Sequence, residues 1–298
     1  MKKAILLAVA LLALLSCGKK AENEKAGHVI IIGLDGWGSW SIEKGETPFI
    51  SEMMANGSYT LNKRTVLPSS SGPNWAAMMN GTPVEMTGIH SNSATPDFKP
   101  LVLTEHNAQP TFFHLLKQKC PDAQTGVICE WGDFLNYADE QCLDYAKKIK
   151  DPGQFPDAIV AESIKYIKKS KPVLCFIHID ALDHQGHAFG QGSAEYYTEL
   201  PLVDERVRKI VESTKEAGIY DDCVFMLTSD HGHEGTGHGG TSMLEMETPF
   251  VIWGKGIKKN HEITKPFIQF DMAAIVAEIL DLDTPDSWRA EAPDVFED

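Results

Sequence analysis

The sequence predicts an α/β fold, a central and mostly parallel sheet with helices on both faces. Apolar, β-rich runs recur along the chain, and helical patterns separate them. The runs are continuously hydrophobic rather than alternating, which is typical of strands covered on both faces. With 298 residues and 43% hydrophobic composition, the chain is long enough for one large domain of this kind.

Five runs are predicted strands, and the patterns between them are predicted helices. The strands are HVIIIGLD (28–35), GVICEW (126–131), VLCFIHID (173–180), CVFMLTSD (223–230) and PFVIWG (249–254). The helices are NWAAMMNG, TFFHLLKQK, DAIVAESIKYIKKS, YYTELPLVDERVRKIVESTKEAG and FDMAAIVAEIL. We expect a single domain over residues 28–298, in which the least regular segment, about 93–172, supplies a small cap over a pocket.

The N-terminal residues MKKAILLAVALLALLSCGKK follow a targeting pattern. Two lysines precede twelve apolar residues (4–15), too few to span a bilayer, for which about 20 are needed. They indicate a signal peptide over residues 1–16. LLSC resembles a bacterial lipobox, which implies cleavage before Cys17 and a lipid on its sulfur, with residues 17–27 as a tether. We therefore expect an exported protein, lipid-anchored in the bacterial cell envelope (periplasm or outer membrane); an ordinary secretory signal is the alternative.

The formal net charge of −15 excludes an obvious nucleic-acid partner, because no basic patch stands out against it. No nucleic-acid binding is expected, and the membrane is expected as a partner only through the N-terminal lipid.

The other five cysteines form no CxxC pair, so a zinc knuckle is not indicated. Cys175 and Cys223 lie in apolar strand-like runs and are expected to pack in the core. An exported chain could carry a disulfide among Cys120, Cys129 and Cys142, although the sequence does not choose the pair.

Acidic residues follow three of the predicted strands. Asp35 ends the first run, Asp180 and Asp183 come at or just after VLCFIHI, and Asp230 follows CVFMLTS. Ligands bind outside the carboxyl ends of strands in open α/β sheets. Carboxylates gathered at one rim would repel each other unless cations lay among them.

Histidines accompany these carboxylates at spacings that suit metal binding. DALDHQGH contains Asp183 and His187 in a D-x-x-x-H spacing, which shares one face if the segment is helical. SDHG offers Asp230 and His231, and His238 follows across a glycine-rich loop. Carboxylates and imidazoles without thiolates suit zinc or other divalent first-row metals. The number of ligands predicts two ions.

Other histidines in the same segments, His178, His184 and His233, are expected to support the ligands or to lie at the surface.

Ser71 is the candidate nucleophile. Gly72-Pro73 opens an apolar helix, which places Ser71 at or next to its N-cap, where unpaired N–H groups bind phosphate. A hydroxyl coordinated there to a dication would lose its proton more easily. A plain capping serine is the alternative.

These motifs resemble the alkaline phosphatase superfamily and, within it, the type I phosphodiesterase/nucleotide pyrophosphatase branch. The resemblance runs from about residue 28 to the C-terminus and includes FDMAAIVAEILDLDTP as the closing helix and turn. IIGLDGWG matches the first metal-binding segment, SGPN the nucleophile segment, and Asn92 in GIHSN the phosphate-contacting asparagine 21 residues later. The metal-ligand motifs match Asp35, Asp183, His187, Asp230, His231 and His238.

The resemblance implies an alkaline-phosphatase-like catalytic domain with two Zn²⁺ ions, other divalent metals remaining an alternative. One ion would be held by Asp183, His187 and His238. The other would be held by Asp35, Asp230, His231 and Ser71. The implied reaction is hydrolysis of a phosphoric ester, including that of a nucleotide, through a phosphoseryl intermediate, with Asn92 and the Gly72 N–H on the nonbridging oxygens.

Departures from the family pattern keep alternatives open. The nearest nucleotide pyrophosphatases usually have Thr in place of Ser71, and Ser69 and Ser70 leave the register open. No K-x-R pair for a phosphate monoester lies between Asn92 and Asp183, which favours a diesterase over an alkaline phosphomonoesterase. Trp75 stands where a sulfatase needs Arg, which disfavours a sulfatase. A catalytically idle, metal- or ligand-binding lipoprotein is the alternative from another class.

Aromatic residues near the motifs could contact substrate. Trp131 and Phe134 are the candidates for stacking on a nucleobase or aromatic leaving group, against the ordinary alternative that they pack in the core.

Overall fold

The structure, a computed structural model, describes residues 25–93 and 95–297. The expected signal peptide and the lipidation site at Cys17 lie outside these residues and stay predictions.

Eight strands in the described ranges form one sheet. They are β1 (His28–Leu34), β2 (Ser58–Arg64), β3 (Thr125–Cys129), β4 (Tyr145–Lys148), β5 (Leu174–Ile179), β6 (Cys223–Thr228), β7 (Glu247–Gly254) and β8 (His261–Glu262). Their order is β4-β3-β5-β1-β6-β7-β2-β8. Only β7 runs antiparallel to its neighbours, β6 and β2. The prediction of a mostly parallel sheet is therefore confirmed.

Helices cover both faces of this sheet. They are α1 (Pro48–Ala55), α2 (Ser71–Asn80), α3 (Val84–Thr87), α4 (Phe112–Lys119), α5 (Ala158–Ser170), α6 (Ala181–Phe189), α7 (Ala194–Ala217), α8 (Met243–Met246) and α9 (Met272–Leu280). Helices α2, α4 and α9 bury apolar residues on one face, and α1, α5 and α7 on the other.

Alternate residues of β1 enter the two cores. Val29 and Ile31 pack with one cluster, whereas Ile30, Ile32 and Leu34 pack with the other. Because successive side chains of a strand point to opposite faces, a strand covered twice must be apolar throughout. This arrangement explains the continuous hydrophobic runs of the sequence.

The segment expected to form a cap belongs largely to the main domain. Within residues 93–172, β3 and β4 extend the sheet beyond β5, and α4 and α5 pack on its two faces. The edge strand β4 is short and mostly exposed, because only one of its sides has a partner strand. Its sequence YAKK therefore lacks the apolar run that marks the inner strands.

Five cysteines are free thiols, Cys120, Cys129, Cys142, Cys175 and Cys223, so no disulfide forms among them.

In the part of the chain that the structure describes, no helix combines the length and the apolar composition that crossing a bilayer requires.

The packing of β1 against α2 generates a stability prediction. A Cβ at Gly33 would lie 2.6 Å from the Trp75 ring and 3.0 Å from Phe176, both fully buried. We expect Gly33→Ala to destabilise the protein by about 1–3 kcal/mol through overpacking, measured by urea unfolding. Gly153→Ala is the matched control, because nothing lies within 4 Å of its Cβ, and it should change stability by less than about 0.5 kcal/mol. Equal effects of the two substitutions would contradict this packing.

Candidate metal centre

The candidate site lies at the carboxyl ends of three neighbouring parallel strands. Strand β1 lies between β5 and β6. Asp35 and Asp180 directly follow β1 and β5, and Asp230 lies two residues after the end of β6, so the three carboxylates reach the same rim. Gly36 has a left-handed φ of 70°, and a Cβ there would lie 2.7 Å from the Cα of Asp183. Glycine thus allows the chain after β1 to pass against the next acidic segment.

The first group of ligand atoms surrounds Nε2 of His231. The Ser71 hydroxyl lies 3.1 Å from this nitrogen, Asp230 Oδ2 lies 3.2 Å from it, and Asp35 Oδ1 lies 3.4 Å from it. The edge of a tetrahedron of oxygen and nitrogen ligands around zinc is about 3.3 Å. Each of the three oxygens therefore lies at the distance from His231 Nε2 that separates two donors to one ion.

Each carboxylate of this group has one oxygen held by the protein and one oxygen without a hydrogen-bond partner. Asp35 Oδ2 accepts from Trp75 Nε1 (3.2 Å) and lies 2.8 Å from His178 Nε2. Asp230 Oδ1 accepts from the Gly36 N–H (3.2 Å). The remaining oxygens, Asp35 Oδ1 and Asp230 Oδ2, are buried and unpaired among the described residues. Such groups are costly unless a cation compensates them.

The second group comprises Asp183, His187 and His238. Helix α6 places Asp183 and His187 one turn apart, with Oδ2 and Nε2 separated by 3.4 Å. Nε2 of His238 lies 3.2 Å from Nε2 of His187 and 3.8 Å from Asp183 Oδ1. The His231 and His238 rings stack at 3.7 Å, so the two groups are adjacent.

Backbone carbonyls orient all three of these imidazoles. Nδ1 lies 3.0 Å from the Gly232 carbonyl in His231, 2.8 Å from that of Thr236 in His187, and 3.2 Å from that of Ser69 in His238. A proton on each Nδ1 leaves Nε2 with a free lone pair. Metal-binding histidines are typically fixed in this way.

The electrostatics of the rim match metal ligands rather than ion pairs. Burial, with repulsion from Asp183, raises the pKa of Asp230 to about 6. Burial and the Asp230 charge likewise raise the pKa of Asp35. Burial lowers the pKa of His231 and of His238 to about 4. His231 and His238 are thus neutral at pH 7 and do not neutralise Asp35 and Asp230. The pKa of Asp183, by contrast, is lowered against the effect of burial by its contact with His233.

These observations fit bound divalent cations. The unpaired carboxylate oxygens, the free Nε2 lone pairs and the absence of thiolates are the donor set of a zinc or related site. The two groups share no residue, and each brings its donor atoms within 4.8 Å of one another. Two other groupings, Asp183 with His231 and His233, and Asp35 with His178 and Asp180, meet the same limit.

Ser71 is the first residue of α2, directly after the N-cap Ser70. The Gly72 N–H donates to Asn92 Oδ1 (2.8 Å), which brings Asn92 to the start of the helix. Ser69, by contrast, uses its hydroxyl to donate to the Gly240 carbonyl and accept from the Gly239 N–H. Of these two serines, Ser71 is the one that faces the metal-ligand atoms.

The two aromatic candidates for substrate contact differ in their surroundings. Phe134 is 0% exposed and packs on Trp75, Phe176 and His178. It has no free face for a substrate, so its expected stacking role is contradicted. Trp131 is partly exposed and remains a candidate.

Of the three histidines that were expected to support the ligands or to lie at the surface (His178, His184 and His233), two contact carboxylates of the candidate metal ligands. His178 lies against Asp35 Oδ2, and Nε2 of His233 lies 3.1 Å from Asp183 Oδ1. Both rings are fully buried. His184 instead lines a groove of about 320 Å³ with Glu130 and Arg206.

Two supporting residues were not predicted as such from the sequence, although one of them, Asn74, lies in the SGPN segment. Asn74 accepts from the Val66 N–H and donates to the Pro68 and Ser70 carbonyls, which fixes the loop before Ser71. Lys63, fully buried, donates to the Ser229 carbonyl (2.7 Å) and to Gln269. It therefore supports the segment just before Asp230.

Comparison with known proteins gives a family and a fold. The family model of type I phosphodiesterase/nucleotide pyrophosphatase matches residues 29–251. GPI ethanolamine phosphate transferase 1 of Candida glabrata is 34% identical over 236 residues, 75% of this chain and 25% of that protein. The mouse protein of the same name is 38% identical over 116 residues, 37% of this chain and 12% of that protein. The chain thus spans about a quarter or less of the length of these two relatives.

Solved structures share the fold at low identity. The inactive variant of murine ectonucleotide pyrophosphatase/phosphodiesterase 5 in complex with AMP has a TM-score of 0.68 at 14% identity, covering 87% of this chain and 96% of that one. A 2-O GAG sulfatase has a TM-score of 0.71 at 15% identity, covering 90% and 73%. These likenesses confirm the alkaline-phosphatase-like fold. From the match over residues 29–251, the chain belongs to the type I phosphodiesterase/nucleotide pyrophosphatase family.

Proposed function

We propose that this protein is a two-zinc hydrolase of phosphoric esters that acts through a phosphoseryl intermediate and prefers diesters. One observation carries the proposal: the Ser71 hydroxyl and two unpaired carboxylate oxygens each lie 3.1–3.4 Å from His231 Nε2, the distance between two ligands of one ion. Family membership supports phosphoester chemistry. The AMP bound to a structural neighbour makes a nucleotide a reasonable substrate class.

In this proposal Asp35, Asp230, His231 and Ser71 hold one zinc ion, and Asp183, His187 and His238 hold the other. Bound zinc would lower the pKa of the serine hydroxyl and would supply positive charge to stabilise the phosphoryl group. His178 and His233 orient the carboxylates that they contact.

The proposed reaction consists of two successive displacements at phosphorus. Ser71 Oγ loses its proton and bonds to phosphorus, while the bond to the leaving alcohol breaks and that oxygen takes up a proton. Water then attacks phosphorus, the Oγ–P bond breaks, and Oγ regains a proton. Asn92 would bind a nonbridging oxygen through its amide nitrogen, and the Gly72 N–H would exchange its hydrogen bond with Asn92 Oδ1 for one to the phosphoryl group. Losing such a donor typically costs about 10²–10³ in rate.

The arginines support the preference for diesters. Arg64, Arg206 and Arg208 pair with glutamates, and Arg289 donates to the carbonyls of residues 286 and 288. The sequence contains no further arginine. A monoester dianion would therefore lack the bidentate partner that it usually finds in proteins.

A transferase is the second candidate, because the relatives above are GPI ethanolamine phosphate transferases. The same phosphoseryl intermediate would then be cleaved by an alcohol instead of water. Product analysis with and without an added amino alcohol separates the two reactions. An alkaline phosphomonoesterase and a catalytically idle metal-binding lipoprotein are the remaining candidates.

We also propose export and lipid anchoring through Cys17, on the sequence pattern alone. Labelling with a radioactive fatty acid should mark the wild-type protein but not Cys17→Ser, and equal labelling of both would contradict the anchor.

Replacing the nucleophile should separate catalysis from metal binding. Ser71→Ala should lower turnover by at least about 10³-fold, because the variant lacks the hydroxyl that attacks phosphorus, and should retain most of the bound metal. Ser70→Ala is the matched control, since the Ser70 side chain makes no capping hydrogen bond, and it should keep turnover within about tenfold. Unchanged turnover in Ser71→Ala would support the idle binder.

A preference for diesters over monoesters is expected, because each of the four arginines already has a partner within the protein. On zinc-loaded protein, kcat/KM for bis-(p-nitrophenyl) phosphate should exceed that for p-nitrophenyl phosphate by about tenfold or more, the effect of one absent charge-assisted hydrogen bond. A chelated sample should turn over neither. A strong monoester preference would promote the phosphomonoesterase, and inactivity toward both would remove the hydrolase.

Zinc binding should weaken in acid. With a pKa of about 6, Asp230 takes up a proton as the pH falls through that value, and the proton competes with the metal. His231 and His238, with pKa values of about 4, stay neutral until lower pH. The rise in Tm on adding zinc should therefore be much smaller at pH 5 than at pH 8. An equal rise at both pH values would contradict carboxylate ligation.

A further inference from the structure

A second set of metal-ligand types lies outside the candidate centre. His106 in a loop, His114 on α4, Asp139 and Cys142 each offer one donor atom, and the four atoms lie within 4.8 Å of one another. The cluster thus combines one thiol, two imidazoles and one carboxylate from three separate segments of the chain.

The distances between these donors fit one tetrahedral ion. Cys142 Sγ lies 3.4 Å from Asp139 Oδ2 and 3.8 Å from Nδ1 of each histidine. Asp139 Oδ2 lies 2.9 Å from Nδ1 of His106 and 3.8 Å from that of His114. Zinc with sulfur, nitrogen and oxygen ligands has tetrahedron edges of about 3.3–3.6 Å. Shifts of a few tenths of an ångström would close the shell.

Local structure brings these donors together. Asp139 precedes a short 3₁₀ helix, Glu140–Cys142, and residues i and i+3 eclipse in such a turn, so Asp139 and Cys142 lie on one side. The Cys142 carbonyl accepts from Thr125 Oγ1 (2.7 Å) at the start of β3. The cluster therefore lies at the amino end of β3, whereas the candidate centre lies at the carboxyl ends of the strands.

The surroundings suit a buried ion with an entry path. His114, Asp139 and Cys142 are 4%, 6% and 2% exposed. His106 and His114 border a groove of about 390 Å³. The two carboxylate oxygens of Glu105 lie 3.9 Å from the histidines, Oε1 from Nε2 of His106 and Oε2 from Nε2 of His114. An acidic group on the far side of a ligating imidazole is the usual outer partner of a metal-bound histidine.

We propose that His106, His114, Asp139 and Cys142 hold a structural zinc ion, separate from the catalytic pair. Four protein ligands complete the tetrahedron, which is the mark of a structural rather than a catalytic site. The thiolate and imidazoles exclude magnesium and calcium. The ion would fasten the loop that carries His106 to α4 and to the connection between β3 and β4. The proposal does not depend on the proposed hydrolase activity.

Cobalt substitution tests the proposal directly. The full chain is stripped of metal, reloaded with Co²⁺ and examined by absorption spectroscopy. A thiolate-to-cobalt charge-transfer band in the near ultraviolet is expected, and the proposed catalytic ligands cannot produce it because they include no sulfur. The absence of this band in the wild-type protein would overturn the proposal.

Variants test whether Cys142 supplies the sulfur ligand of the bound cobalt. Cys142→Ser should abolish the band and lower the zinc content by about one ion per chain, and Cys120→Ser, at an exposed free thiol, should leave both unchanged. The side chain of His106 is 23% exposed, so replacing it disturbs folding less than a substitution in the core would. His106→Gln should weaken the band. A band that survives in Cys142→Ser, or one that His106→Gln leaves unaltered, would contradict the four-ligand site.

Discussion

The constraint on which the site depends is the burial of several carboxylates in one small volume. Asp35 and Asp230 are fully buried and unpaired at one oxygen each, and Asp183 lies beside them. Their pKa shifts show the strain: burial and mutual repulsion raise the pKa of both Asp35 and Asp230. Burial lowers the pKa of His231 and of His238 to about 4, so these two imidazoles are neutral at pH 7 and give no compensating charge. Divalent cations would convert this unfavourable arrangement into a binding site.

The fold directs a specific oxygen of each carboxylate toward that volume. Trp75 and His178 hold one oxygen of Asp35, and the Gly36 N–H holds one oxygen of Asp230, so the other oxygens converge on His231. The parallel order β5-β1-β6 places the three loops side by side. Trp75, packed under β1 against Gly33, also connects the apolar core to the first ligand. Stability of the core and geometry of the site are therefore linked through one side chain.

Much of this could be predicted from the sequence, and the failures have physical reasons. Strands β1, β3, β5, β6 and β7 were predictable because strands covered on both faces must be apolar, and the acidic rim was predictable because the ends of parallel strands converge. The inner strand β2 was not predicted, because its sequence SYTLNKR has no continuous apolar run. Strand β4 was not, because YAKK is an exposed edge. The prediction that Phe134 contacts substrate was wrong, because sequence spacing does not tell which way an aromatic ring faces. Lys63 was missed because a lysine within a half-polar strand usually points to solvent.

The second ligand cluster shows the same limit. Its donors span 36 residues without the paired spacing that marks zinc motifs, and only folding brings His106 and His114 to Cys142. Long-range contacts of this kind leave no local pattern in a single sequence.

X-ray anomalous scattering at the zinc edge, on crystals of the zinc-loaded protein, tests the central claim most directly. Two peaks about 3.5–4 Å apart are expected at the candidate centre, besides the separate peak expected at His106, His114, Asp139 and Cys142. One should lie among Asp35, Asp230, His231 and Ser71, and the other among Asp183, His187 and His238. A difference map without a peak in this volume, or with a single peak distant from Ser71, would contradict it.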